Sequence, residues 1–223
     1  MEHLPIYIYL TFGATAIVGI WLFFKATQYS KPFLFCLLGW IAVQSTLAIA
    51  GFYSNMLTTT ARFPLLVIPP VLLLVSLLIT KNGSAFLNRL DLPTITIFHM
   101  IRIPVELVLF WLFVRGAVPE AMTFHGRNFD MLSGISAPVI YYFGFIKNTL
   151  NKRVMIGWNL ICLALLLNVV GTAILSLPAR FTHFGFEQPN IALGYFPFVL
   201  LPAVLVPLVM LATVAGIKQL SKK

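Results

Sequence analysis

The stretch that decides the fold is PTITIFHMIRIPVELVLFWLFVR, residues 93–115. It is mostly apolar, and its length of about 23 residues is sufficient to cross a bilayer as a helix. It nevertheless contains three ionisable side chains, His99, Arg102 and Glu106. Because a charged group at membrane depth is costly, such residues are typical of functional sites or of buried partners.

The three side chains share one helical face. Each residue turns a helix by about 100°, so positions i, i+3 and i+7 fall within roughly 60° of one another. One spanning helix therefore carries a charged stripe, His99, Arg102 and Glu106. We expect the stripe to face other helices or a water-filled cavity, since it cannot comfortably face lipid.

The composition predicts an all-α, polytopic integral membrane protein embedded in a lipid bilayer. Hydrophobic residues make up 60% of the 223 positions and charged residues only 9%, whereas soluble domains carry about 25% charged residues. The net charge is +9, but the basic residues cluster at the ends of apolar runs, which is typical of membrane topology signals. We therefore expect no nucleic-acid partner.

Apolar runs divide the chain into a seven-transmembrane-helix bundle, taken as a single domain over residues 1–223. The predicted spans are about 5–24, 33–54, 63–80, 93–115, 131–146, 154–178 and 196–217. The connections on one side hold Lys25, Lys31, Lys81, Arg89, Lys147, Lys152, Arg153, Lys218, Lys222 and Lys223, and those on the other side hold Arg62, Arg115, Arg127 and Arg180. Because basic connections remain in the cytoplasm, we expect the N-terminus outside and the C-terminus in the cytoplasm of a bacterial cell, the protein lying in its cytoplasmic (inner) membrane.

The external connection between the fourth and fifth spans is the densest polar segment of the chain. It contains His125, Arg127, Asn128 and Asp130. In one interpretation Asp130 caps the helix that follows. In the other, all four residues fold back over the bundle and close the outer end of a cavity that contains Glu106.

The fourth span itself leaves two interpretations open. Pro104 lacks an N–H and predicts a kink beside the stripe. Arg102 and Glu106 either form a static ion pair that holds the bundle together or line a ligand or ion pathway. His99 either relays protons or is a hydrogen-bonded structural residue.

No sequence motif indicates a cofactor or a resident metal. The chain has no Walker loop, no Gly-x-Ser-x-Gly elbow and no Cys-x-x-Cys pair. A zinc site from His99, His125 and Asp130 has no supporting spacing. Cys36 and Cys162 fall inside predicted spans, where thiols usually pack as small apolar groups.

The leading functional hypothesis is a small transporter or permease-like protein that binds a small polar or anionic solute, or protons. Arg102 would bind the anionic part or balance Glu106, while Glu106 and His99 would exchange protons. The polar external loop would form the gate.

Two other classes stay open. One is an intramembrane enzyme that acts on a lipid or isoprenoid from the external face, with Glu106, His125 and Asp130 as acid/base candidates. The other is a subunit of a larger membrane complex or homo-oligomer, in which the stripe would be buried against a partner helix.

Overall fold

The computed structural model describes residues 4–53, 62–177 and 183–222. Within these ranges all regular structure is helical and no strand occurs. Arg180 and Lys223, two of the basic residues used to predict the topology, lie outside the described residues. A chain this apolar folds as helices because hydrocarbon offers no hydrogen-bond partner to a backbone N–H or C=O, whereas a helix pairs these groups with each other.

The α-helices are numbered in chain order. They are α1 Ile6–Ala26, α2 Lys31–Ile49, α3 Pro64–Ile79, α4 Lys81–Arg89, α5 Leu92–Phe98, α6 Arg102–Val114, α7 Met131–Tyr141, α8 Lys152–Leu175 and α9 Val206–Leu220. The 3-10 turn His99–Ile101 joins α5 to α6, the π-helical segment Tyr142–Ile146 extends α7, and the π-helical segment Leu201–Leu205 precedes α9.

Five helical stretches of the described chain are long and apolar enough to cross a membrane. They are Ile6–Ala26, Lys31–Ile49, Leu92–Val114, Lys152–Leu175 and Leu201–Leu220. Helices α3 and α4 add a sixth if they count as one span bent by 96°. The fifth predicted span, about 131–146, corresponds to the helix Met131–Ile146, which is apolar but shorter than the other candidates. The protein is therefore all-helical, with five to six candidate membrane spans among the described residues.

The sharp bend between α3 and α4 has a local cause. The Thr80 side chain caps α4 by accepting a hydrogen bond of 3.1 Å from the backbone N of Gly83. A Cβ atom at Gly83 would collide with the backbone of Leu77. The bend thus requires glycine at this position.

The fourth predicted span lies at the centre of the bundle. Its first half, α5, packs against α1, α7 and α9, and α9 also packs along α8. The degree of burial separates central from peripheral helices: 67% of the apolar window in Leu201–Leu220 is buried, against 17% in α2. Helix α2 makes its main contact with the segment Leu201–Leu205.

Hydrogen bonds define the two ends of the bundle. At one end the Gln219 amide donates to the carbonyls of Leu87 and Leu90, which joins the end of α9 to α4. At the other end the Gln188 amide donates to the carbonyl of Val118. The two long polar loops therefore pack together, at the end opposite to α4.

Candidate functional site

The central span is interrupted beside the charged stripe. Regular α-helix ends at Phe98, a 3-10 turn covers His99–Ile101, and α6 begins at Arg102. Pro104 follows within the first turn of α6 and cannot donate a hydrogen bond to the carbonyl of Met100. The irregularity predicted from Pro104 takes the form of this 3-10 turn.

Helix α7 packs directly onto the interruption. A Cβ atom at Gly134 would lie 2.7 Å from Cγ1 of Ile103 and 3.3 Å from the carbonyl oxygen of His99. Only a residue without a side chain permits this approach. The first turns of α7 are therefore held against the irregular part of the central span.

All three side chains of the stripe face the interior of the bundle. The exposed fractions of His99, Arg102 and Glu106 are 1%, 2% and 1%. The stripe is thus sheltered from lipid by the chain's own helices, as its cost in hydrocarbon predicts.

Arg102 pairs with Asp130, and no ion pair joins Arg102 to Glu106 among the described residues. The guanidinium Nη1 lies 2.5 Å from Oδ1 of Asp130 and also donates to the carbonyl oxygen of Cys162, at 3.2 Å. Asp130 occupies the N-cap position of α7 but makes no capping bond through its side chain. Its carboxylate faces the buried guanidinium, which has more need of a charged partner than an exposed helix end has.

Asn128 connects the two carboxylates of the site. Its Nδ2 donates to Oε1 of Glu106, and to the carbonyl oxygen of Met122 at 3.1 Å. Its Oδ1 accepts a hydrogen bond of 3.0 Å from the backbone N of Asp130. Asn128 itself is fully buried. The last part of the polar loop therefore enters the bundle down to the middle of the central span.

We call Arg102, Glu106, Asn128 and Asp130 the charged cluster. The other two predicted loop residues, His125 and Arg127, lie outside it and are exposed. The loop is buried at Met122 and Thr123, exposes His125 and Arg127, and is buried again at Asn128 and Asp130.

Aromatic rings hold the two exposed residues at the surface. The His125 ring packs against Phe110 and Phe124, with centroids 5.0 and 5.1 Å apart. The Arg127 guanidinium lies 5.2 Å from the Phe184 ring, on the second long loop. Both residues thus contribute to the outer surface above the cluster.

A small cavity adjoins the charged cluster. It measures about 40 Å³ and is lined by Arg102, Glu106 and Asp130, together with apolar side chains of α8 and α9. Three buried polar atoms of the cluster, Nε and Nη2 of Arg102 and Oε2 of Glu106, have no hydrogen-bond partner within the described ranges. Since one water molecule needs roughly 10–15 Å³ of such space, the cavity has room for a few waters beside these side chains.

His99 lies apart from this cavity. Its ring packs edge-on against Trp158, with centroids 5.1 Å apart, and the Trp158 Nε1 donates to Oγ of Ser136 at 2.8 Å. Its own Nδ1 is buried and has no hydrogen-bond partner in the part of the chain that is described. His99 therefore retains a free hydrogen-bonding position inside the protein.

Sequence reasoning missed the backbone partners of the cluster, the carbonyl groups of Cys162 and Met122. Every residue carries a carbonyl, so no side-chain pattern distinguishes these two. No group of three or more His, Cys, Asp or Glu residues in the described ranges is arranged to hold a metal ion. Comparisons of the chain with protein families, with curated proteins and with solved structures find no match.

Proposed function

We propose that the protein is a small transporter-like membrane protein and that its charged cluster binds and passes protons. The observation that carries the proposal is the arrangement at the cavity. Two guanidinium nitrogens of Arg102 and one carboxylate oxygen of Glu106 are buried, lack protein partners among the described residues and belong to side chains that line a space for a few waters. A hydrated carboxylate at membrane depth is typical of proton relays.

The charge count favours a proton over an anionic solute. One guanidinium, Arg102, faces two carboxylates, Glu106 and Asp130, so the fully ionised cluster has one negative charge in excess. One bound proton removes this excess, which matters because an unbalanced buried charge is costly. An anion would instead meet a guanidinium whose charge Asp130 already balances, with Glu106 nearby.

The size of the cavity also favours a proton over a larger solute. A volume of about 40 Å³ is far below the roughly 300–1,000 Å³ of sites for organic ligands. Water molecules and protons fit without any rearrangement of the helices. A larger solute would require the loop residues Asn128 and Asp130 to leave the bundle.

The stripe supplies a path through the centre of the protein. Glu106 exchanges its proton with water in the cavity, below the polar loops. His99 lies about two turns further along the same helix face, roughly 10 Å away. The proposal requires a chain of water molecules to carry the proton from Glu106 to the buried Nδ1 of His99. A neutral imidazole is suited to this step because it can take up a proton on one nitrogen and release one from the other.

The proposed topology has seven spans, with the N-terminus outside and the C-terminus in the bacterial cytoplasm. Met131–Ile146 counts as a span because the loop before it enters the bundle to the depth of Arg102, so a short helix covers the remaining distance. The orientation follows from the sequence: ten basic residues lie in the connections assigned to the cytoplasm and four in those assigned to the outside.

Neither alternative class receives comparable support from the geometry. The acid/base candidates of the enzyme hypothesis are divided, since His125 is exposed while Glu106 and Asp130 are buried. The complex-subunit hypothesis needs the stripe to face outward, and the stripe is buried within the single chain.

Proton flux into proteoliposomes tests the proposal. We expect potassium-loaded vesicles containing the protein to take up protons when valinomycin sets the potential, as measured with a pH-sensitive dye inside. The variant Glu106→Gln should abolish this uptake because it keeps the shape of the side chain but cannot release a proton. Glu120→Gln, an exposed position in the polar loop, should retain it.

Equal uptake by the Glu106→Gln variant and the unaltered protein would overturn the proposal. So would vesicles that take up no protons with either protein, provided that thermal unfolding shows both to be folded.

A further inference from the structure

A second, much larger space lies on the opposite side of the segment Leu201–Leu205. This cleft measures about 350 Å³ and runs between α2, α3 and the start of α9. Its lining is apolar and includes Cys36 and Trp40 of α2, Leu73 of α3, and Ala203. The volume lies within the range of about 300–1,000 Å³ that ligand sites occupy.

The cleft exists because α2 stands away from the bundle. The indole Nε1 of Trp40 donates to the carbonyl of Ala203 at 2.9 Å, which fixes α2 at one point. Prolines on the facing helices, Pro70 in α3 and Pro207 in α9, also line the space. The side chains leave a gap whose chemistry suits a hydrocarbon chain and provides little for a polar solute to bind.

Two lysines are close in sequence to the residues that line one end of the cleft. That end is marked by Phe33 of α2, whose ring stacks on Phe86 of α4 with centroids 5.8 Å apart. Lys31 is two residues before Phe33, and Lys81 is four residues after Leu77, which also lines the cleft. Both lysines are exposed, and neither belongs to an ion pair among the described residues.

We infer that the cleft binds an anionic phospholipid, with one acyl chain between α2, α3 and α9 and the phosphate between Lys31 and Lys81. The apolar walls recognise the chain, and the two lysines recognise the negative headgroup. A zwitterionic lipid offers the same chain without the net charge. Lys31 and Lys81 therefore make the site selective for anionic lipids over neutral ones.

This site is separate from the charged cluster. Ala203 and Val204 line the cleft, whereas Leu201 and Leu205 line the small cavity beside Arg102. Lipid binding can thus fail while proton flux persists, and flux can fail while the lipid still binds.

Lipid titration of the purified protein in detergent tests the inference. We expect phosphatidylglycerol to bind, as counted by native mass spectrometry, and to raise the melting temperature, while phosphatidylcholine does neither at the same concentration. The double variant Lys31→Gln/Lys81→Gln should weaken binding about fivefold for each lysine removed. The double variant Lys147→Gln/Lys152→Gln removes equal charge elsewhere and should bind normally.

A pair of neighbouring leucines tests the acyl chain. Leu72 and Leu73 are similarly exposed, at 62% and 60%, but only Leu73 lines the cleft. Leu73→Trp should fill the cleft and abolish binding, whereas Leu72→Trp should not. Equal binding of both lipids, equal effects of the two double variants, or normal binding by a folded Leu73→Trp protein would each overturn the inference.

Discussion

At the scale of single residues, Asp130 gives the most direct test of the buried ion pair. Its carboxylate is the charged partner of the Arg102 guanidinium, and both side chains are almost fully buried. Asp130→Asn keeps the shape but leaves the positive charge without a counter-ion. We expect the free energy of unfolding, measured in mixed detergent micelles with increasing dodecyl sulfate, to fall by about 3–5 kcal/mol.

The matched control for this change is Asp91→Asn. Asp91 caps α5 by accepting a hydrogen bond from the backbone N of Thr94. Asparagine caps a helix about as well as aspartate, so the stability should hardly change. Equal losses from Asp91→Asn and Asp130→Asn would show that the ion pair with Arg102 does not stabilise the fold.

The sequence allowed the stripe to be predicted and named Asn128 and Asp130 as loop residues that could fold over it, but it did not show which of them pairs with Arg102. His99, Arg102 and Glu106 belong to one helix, and the period of that helix alone places them on one face. Asp130 and Asn128 reach them from a separate loop, by a path that helical periodicity does not describe. The sequence spacing of Arg102 and Glu106 favoured a local pair, and it could not show that a carboxylate 28 positions away would occupy the guanidinium.

At the scale of helices, the contact between α7 and the central span depends on Gly134. A methyl group there would lie 2.7 Å from Cγ1 of Ile103, so the two helices must separate or the side chain must move. We expect Gly134→Ala to lower the free energy of unfolding by about 1–3 kcal/mol, as overpacked cores do. It should also reduce proton flux, since the same shift would displace Asp130 from Arg102.

Gly157 provides the control because it is also a helical glycine, in α8, and a methyl group added there would have no atom of another residue within 4 Å among its described surroundings. Replacing it by alanine removes backbone freedom and should stabilise α8 by up to about 1 kcal/mol. A loss of stability from Gly157→Ala equal to that from Gly134→Ala would contradict the role given to the close contact.

The apolar runs predict most of the helices, but they do not predict α4. The predicted span 63–80 corresponds to α3, Pro64–Ile79, because a long apolar segment satisfies its backbone best as a helix. Residues 81–89 were assigned to a connection, and they form the amphipathic helix α4. In the sequence, Thr80 as an N-cap and Gly83 three residues later were the features that could have indicated the start of α4. Because α4 is polar, it contains no apolar run from which a helix would be predicted.

At the scale of the whole molecule, the distribution of basic residues predicts the orientation of the bundle, whereas the helix lengths limit the number of spans. Length and hydropathy count only five or six spans in the described chain, because they treat Met131–Ile146 by itself. In the proposed topology this helix still crosses, because the loop before it brings Asp130 to the depth of Arg102 and leaves a shorter distance to cover. The number of spans thus depends on tertiary structure and could not be settled from run lengths.

Glu120 and Arg153 test whether α7 crosses the membrane, since the chain between these two exposed positions contains no other membrane-length helix. In a background with Cys36→Ser and Cys162→Ser, we expect Glu120→Cys to react with an impermeant maleimide added to intact cells. Arg153→Cys should react only after permeabilisation, because the proposed topology places the basic end of the bundle in the cytoplasm. Labelling of both positions from the same side would mean that α7 enters and leaves by one face. Asn128 and Asp130 of the charged cluster would then belong to a re-entrant segment, and the seven-span topology would be wrong.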